Sequence, residues 1–288
     1  MRRYKASEIR LRSILGNETS LSGTPAVERI SEQHIISGQR RSGRTTTMGS
    51  TSRPPVDLEV IIPAYNEAER IPGTLDATVD FLAAQPWSSR IVVVDNGSVD
   101  DTGTVVRRLA RTSGPVGISL IGCAQPGKGA AVRRGLLSSR ARFAGFLDAD
   151  LATPIETLST AMPLLEAGAS AVIASRHAPG AEFIQPQQLG RRLGGTAFRL
   201  MTRRMVHGIA DTQCGFKFFE LGVVKRALVE CRTMGFAFDV ELLKRVQNQG
   251  GRILEVPVAW TDGPASTFRP VRDGLASFNA VFQMARVS

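Results

Sequence analysis

The sequence predicts an α/β fold in which helices flank a mostly parallel sheet. Three observations lead there. Short β-branched runs stop abruptly at Pro, Asn-Gly or Asp, as buried strands do. Between them, apolar residues recur at helical spacing. Five strand patterns alternate with four helical ones from Val56 to Arg176, and parallel strands joined in this way need helical crossovers.

The elements follow in order. "VDLEVIIPAY" is a first strand broken by Pro63, and Ile71, Leu75, Val79 and Leu82 mark the helix after it, which ends at "AAQPW". "RIVVVDNGS" is a second strand stopped by an Asn-Gly turn, and "DDTGTVVRRLA" reads as a helix with acids in its first turn, where the helix dipole favours them. "VGISLIG", "FAGFLDAD" and "SAVIASR" are further strands, separated by the helical "GKGAAVRRGLLSSRA" and "PIETLSTAMPLLEAG". Beyond Arg176 the rhythm loosens. "LGRRLGGTAFRLMTRRMV" is an amphipathic basic helix, "DTQCGFKFFEL" an irregular or strand segment, "FDVELLKRVQNQGG" a helix closed by glycines and "RILEVPVAW" a last strand. A final helix is expected over Asp273 to Ala285. In such sheets ligands bind beyond the carboxyl ends of the strands, so the chemistry belongs there.

A hydrophobic content of 42% and a charged content of 22% are globular averages, so most of the 288 residues should fold. The net charge of +10 suggests an anionic partner: nucleic acid, a membrane surface or a phosphorylated substrate. Its distribution argues against nucleic acid. From Met1 to Arg53 ten Lys and Arg face four Glu, which places +6 in a Ser, Thr, Gly and Arg-rich segment and leaves +4 for the rest. The chain also has only two tyrosines to stack on bases. Residues 1–53 read as a disordered basic extension to a single folded domain, 54–288. The extension is either simply solvated or a tether to anionic membrane, and Met48 is an alternative start. No stretch approaches the roughly 20 apolar residues of a spanning helix, so the chain is expected in the cytoplasm, free or peripheral on the cytosolic face of a membrane. Cys123, Cys214 and Cys231 lack the spacing of a metal or disulfide framework and are expected as buried thiols.

The acids at the strand ends carry the chemistry. "DADLATP" closes a buried strand on Asp148 and Asp150. In an extended chain the two point to one face, where their mutual repulsion asks for a cation. Hard oxygen ligands favour Mg²⁺ or Mn²⁺, ions that also bind substrate phosphates. A helix N-cap is the other role open to the pair. Asp95 ends an adjacent strand and either lines the same crevice or ties the Asn96-Gly97 turn. "GCAQPGKG" comes close to a phosphate-binding loop, but Gly129 stands where a Ser or Thr would hold Mg²⁺, so a nucleoside-triphosphatase is not expected. Lys128 of that loop either faces a phosphate or is a solvated turn lysine.

Taken in order, "VIIPAYNEAERI", "VVVDNGSVDDT", "GKGAAVRRGLLSSR", "DADLATP", "DTQCGFKFF" and "FAFDVELL" resemble the family 2 glycosyltransferases of the Rossmann-like GT-A fold. The likeness runs from about Val56 to Phe282 and is strongest to the dolichyl-phosphate β-glucosyltransferases and their polyprenyl-phosphate relatives. It implies an inverting hexosyltransferase that moves glucose from a nucleoside diphosphate, UDP-glucose by likeness, to a polyprenyl phosphate with Mg²⁺ or Mn²⁺. A soluble relative acting on a small-molecule or saccharide acceptor is the alternative.

The same resemblance assigns roles. Pro63, Ala64, Tyr65, Asn66 and Glu67 surround the nucleoside, and Asp95 bonds the base. Lys128, Asp148, Ala149 and Asp150 meet the diphosphate, with Asp148 and Asp150 as the metal ligands. Arg176, Arg191, Arg192 and Lys217 are acceptor-phosphate contacts, and Asp211 organises the acceptor side. For Arg191 and Arg192 a solvated helix face stays open, and for Asp211 a turn. Leu193, Phe198, Met201 and Met205 offer apolar surface either to a lipid or to the core. Ala152 stands where mannosyl relatives carry glutamine, which favours the glucosyl branch. The family's C-terminal lysine falls at Thr267, with Arg269 as its candidate substitute. Eukaryotic glucosyl enzymes have an N-terminal membrane anchor that is not evident here.

Overall fold

Strand β1 (Leu58–Ala64) shows how the sheet is built. Val60 and Ile62 face one apolar cluster and Ile61 faces another. Strand β2 (Ser89–Asp95) repeats this, with Ile91 and Val93 on the first face and Val92 and Val94 on the second. Two-residue alternation with apolar residues on both faces, as at Val60–Ile62 and Ile91–Val94, requires cover on both sides. Each buried aliphatic side chain then contributes about 1.5–3 kcal/mol. The computed structural model describes residues 56–183, 198–260 and 280–284.

The remaining strands are β3 (Gly117–Gly122), β4 (Phe143–Leu147), β5 (Ala171–Ser175), β6 (Glu182–Phe183), β7 (Phe216–Glu220), β8 (Ile253–Pro257) and β9 (Ala259–Trp260). Seven of them form a sheet in the order β3-β2-β1-β4-β7-β5-β8, and β6 pairs with β9 separately. β1 lies parallel to both β2 and β4. β7 is antiparallel to both its neighbours, β4 and β5. The chain steps outward from β1 to β2 and β3, then returns to the other side of β1 with β4. That reversal opens a crevice beyond the carboxyl ends of β1 and β4.

Helices α1 (Ile71–Ala83), α2 (Thr102–Leu109) and α4 (Leu158–Glu166) cover the first face through Ile71, Leu75, Leu82, Val106, Leu158 and Leu165. Helices α3 (Lys128–Ser138), α5 (Leu221–Glu230) and α6 (Phe238–Asn248) cover the second. Gly135 of α3 lets that helix approach β1, since a Cβ there would sit 2.4 Å from Ile61 Cγ2.

Several expectations need adjustment. The acids expected in the first turn of α2 lie before it: Asp101 is the N-cap and makes no side-chain capping bond, while Asp100 one residue earlier accepts from Thr102 N at 3.0 Å. Helix α5, unforeseen from the sequence, is started by Glu220, whose carboxylate accepts from Gly222 N and Val223 N. "RILEVPVAW" is split into β8 and β9 because Val258 N turns to donate to Ser175 O. Of the expected basic helix, residues 198–202 are helical, and Met205 packs into the second core together with partly buried Phe198 and Met201. Leu193 and the rest of that segment, the 1–53 extension, Thr267 and Arg269 lie outside the described residues, and of the final helix only 280–284 are described. All three cysteines are free and buried.

Candidate active site

The lip of the crevice forms where β4 ends. Its pairing with β7 closes at Leu147 opposite Phe216, and Asp148 N then donates to Gly215 O at 3.0 Å. The next residues turn instead of continuing as a strand. Leu151 N donates to Asp148 O at 3.2 Å, and Leu151 takes a φ of 48°. The strand-alternation argument for Asp148 and Asp150 is therefore corrected: a tight turn, not a pleat, keeps the two acids close. Thr74 of α1 pins the turn by donating to Ala149 O at 2.5 Å. Asp150 Oδ1 accepts from Ala152 N at 3.1 Å.

Electrostatics within the turn are unbalanced. Burial raises the pKa of Asp150, and neighbouring Asp148 adds to the effect. Lys128 Nζ lies 2.5 Å from Asp148 Oδ1. Burial opposes the lysine's charge, but Asp148 and Asp239 outweigh it and hold its pKa above the usual range. Lys128 is thus no solvated turn lysine. The helix start that presents it is also closed to a phosphate cradle, because Gly127 N donates to Asn96 Oδ1 and Ala130 N to Met234 O.

Two neighbouring strand ends complete the rim. Tyr65 is half exposed beyond β1. Asn66, at φ 55°, accepts from Val99 N through Oδ1 while its own N donates to Ser98 Oγ. Glu67 pairs with Arg70 at 2.7 Å, and its pKa is raised by burial, against the pull of Arg70. Pro63 and Ala64 lie beneath, opposite Val94 and Asp95 of β2. Asp95 Oδ1 accepts from Ser98 N at 3.0 Å, so the turn-tying role is realised at one of its two oxygens.

On the other side of the sheet's switch point, Arg176 follows β5 and meets Asp211. Nε and Nη2 donate to the two carboxylate oxygens at 2.7 and 2.9 Å, and the backbone N of Arg176 adds a third bond at 3.0 Å. Burial opposes both charges, yet the pairing wins: Asp211 is held well below the carboxylate range and Arg176 above its own. Asp211 is therefore more than a turn acid.

Lys217 departs from the expectation of an acceptor contact. It is wholly buried, with Nζ 2.5 Å from Cys214 O and 3.3 Å from Asp239 Oδ1, so its charge is used inside the second face. Arg191 and Arg192 lie outside the described residues.

Sequence reading missed Thr74, Asn96, Gly215 and Glu255. Asn96 holds the Lys128 loop by donating to Cys123 O and Gln125 O, and the Asn-Gly pair was its signal. A Cβ at Gly215 would fall 1.8 Å from Asp148 Oδ2, and "CGF" in the sequence gives no sign of it.

A switch-point crevice with an acidic lip is where an open α/β sheet binds its ligand. The profile described as Glycosyl transferase family 2 matches residues 59–227. A dolichyl-phosphate beta-glucosyltransferase from Dictyostelium discoideum is 32% identical over 247 residues, 81% of this chain and 73% of that protein. The protein of the same name from Homo sapiens is 30% identical over 266 residues, 88% of this chain and 82% of that one. Among solved structures, glucosyl-3-phosphoglycerate synthase from Mycobacterium tuberculosis with uridine diphosphate superposes with a TM-score of 0.59 at 18% identity, covering 79% of each chain. A mannosyltransferase from Pyrobaculum calidifontis with GDP-Man and Mn²⁺ gives 0.58 at 23% identity, covering 81% of this chain and 65% of that one. The chain belongs to glycosyl transferase family 2.

Proposed function

We propose that this enzyme transfers glucose from UDP-glucose to a polyprenyl phosphate of the dolichyl class, inverting the anomeric carbon, with a divalent cation held by Asp148 and Asp150. The relatives named dolichyl-phosphate beta-glucosyltransferase support the sugar and the acceptor. The observation that carries the reading is the turn after β4, which holds two carboxylates together and leaves Asp150 with a raised pKa.

The residues present fit Mg²⁺ or Mn²⁺. Both ligands are hard carboxylates, and a cation relieves the repulsion between them. Among the described residues no cluster of three or more His, Cys, Asp or Glu could hold a metal alone, so diphosphate and water would fill the remaining positions. When bound, the ion supplies Lewis-acid stabilisation of the departing diphosphate, worth several kcal/mol.

The chain's own groups do the rest. Pro63, Ala64, Tyr65, Asn66 and Glu67 border the nucleoside, and the second oxygen of Asp95 is offered to the base. Lys128 and the Ala149 backbone sit beside the diphosphate. On the acceptor side, Asp211 takes Nε and Nη2 of Arg176, and among the described residues Nη1 has no hydrogen-bond partner. That edge would meet the acceptor phosphate, which is already ionised near neutral pH, so no general base is required. Its oxygen forms the new bond to the anomeric carbon as the bond to the diphosphate oxygen breaks with its electron pair, which inverts the centre.

The lipid acceptor implies work at a membrane surface, and we read the attachment as peripheral on the cytosolic face. Among the described residues no helix is long and apolar enough to cross a membrane. We keep the division into a basic extension, residues 1–53, and a catalytic domain, 54–288. Labelled UDP-glucose with Mn²⁺, offered dolichyl phosphate, dolichol and a soluble phosphate monoester in parallel, tests the function. Label should move to dolichyl phosphate alone; label on dolichol, or only on the soluble ester, overturns the assignment.

A further inference from the structure

Glu255 lies on β8, opposite Ile173 of β5 and three residues from Arg176 along that register. Its carboxylate accepts two consecutive backbone N–H groups from the segment before β7. Oε2 takes Ala210 N at 2.8 Å and Oε1 takes Asp211 N at 2.9 Å. Asp211 is fully committed in turn. Oδ2 accepts from Arg176 N and Nε, and Oδ1 from Arg176 Nη2 and Gln213 N. The guanidinium also lies 5.4 Å from the ring centre of Trp260, five residues past Glu255. The β8–β9 stretch therefore holds both the backbone beneath Asp211 and the ring face over Arg176.

We propose that Glu255 is a positioning residue for the acceptor phosphate, fixing Asp211 so that Asp211 aims Arg176. This rests on the reading that Arg176 meets the acceptor phosphate. The chemistry selects glutamate specifically. Two adjacent N–H groups need two acceptors at one height, and a charged carboxylate binds both more strongly than a neutral group would. Glutamine offers one acceptor and turns a donor toward the other N–H, freeing one end of the segment with almost no change in volume. A guanidinium that serves a phosphate dianion must be held in plane, since its fork recognises oxygens by geometry as well as charge.

A double-mutant cycle on the full chain tests it, with dolichyl phosphate as varied acceptor. Glu255→Gln should raise the acceptor KM about tenfold, the loss expected of one charge-assisted bond. Affinity for Mn²⁺ with uridine diphosphate should stay within about twofold, since only the acceptor side is disturbed. Glu255→Asp, which keeps both oxygens on a shorter stem, should recover part of the loss. In an Arg176→Ala background, Glu255→Gln should add nothing. The role of Glu255 is overturned if the glutamine variant keeps the parental acceptor KM, if the two losses multiply, or if donor affinity falls in step. Should Glu255→Gln fail to fold, Glu255→Asp takes its place in the cycle, and a loss in Glu255→Asp that multiplies with that of Arg176→Ala decides equally against it. An unchanged acceptor KM in Arg176→Ala alone identifies the failure as that of the acceptor reading itself.

Discussion

Lys128 Nζ lies 2.5 Å from Asp148 Oδ1, joining the first residue of α3 to the first residue after β4. The other Asp148 oxygen lies against Gly215. The lysine therefore engages Asp148, and Asp150 is the more open of the two acids. Lys128→Met should bind Mn²⁺ alone about fivefold more tightly, the equivalent of about 1 kcal/mol for a partly exposed ion pair. The same variant should bind uridine diphosphate more weakly. Manganese titration followed by electron paramagnetic resonance reads both effects, and unchanged or weaker binding of the metal alone would remove the competition.

Gly215 is predicted to be intolerant of any side chain. A methyl placed 1.8 Å from Asp148 Oδ2 must push that carboxylate aside. Gly215→Ala should lower kcat at least tenfold, with a stability loss of about 1–3 kcal/mol from overpacking. Turnover and a denaturant melt on one preparation check this; full activity would mean that the Asp148 position is immaterial.

Glu220 provides the opposite test, a substitution that acts on stability alone. Its side chain caps α5 through Gly222 N and Val223 N at 2.9 and 2.7 Å. Glu220→Ala should cost about 1 kcal/mol, read as a lower midpoint in urea with the donor KM unchanged.

The Arg176 and Asp211 pair carries a pH signature. The folded pKa of Asp211 lies below its ordinary 3.8, so its contribution is complete above that value and disappears as pH falls toward the folded pKa. The stability gap between the parent and Asp211→Asn should be constant from pH 7 to about pH 5 and shrink below about pH 4. Thermal melts across that range check it; a gap that widens in acid contradicts the sign.

Much of this was legible in the chain. The apolar runs from Leu58, Ile91 and Phe143 are strands because both faces of the sheet are covered, and that leaves an unmistakable apolar signature. The acids at the strand ends were legible too, since a buried strand has no local reason to stop on carboxylates. What failed was geometry set by distant contacts. Periodicity cannot register that the chain turns directly after Asp148 bonds Gly215, with Leu151 N donating back to Asp148 O, so Asp148 and Asp150 were read as pleated instead of turned. Lys217 looks like a surface cation in "GFKFF" because nothing nearby in sequence announces Asp239, which pairs with it from α6. Glu255 reads as an ordinary outward strand residue until the segment at Ala210 is seen docked on it.

The claim on which the account turns is that Asp148 and Asp150 hold a divalent ion against a diphosphate. Crystals grown with manganese and uridine diphosphate, with data collected at the manganese absorption edge, address it directly. The account predicts an anomalous peak coordinated by the turn after β4, with the diphosphate on its far side and within reach of Lys128. A peak and a nucleotide at another place, with both acids bare and Lys128 still on Asp148, would contradict it.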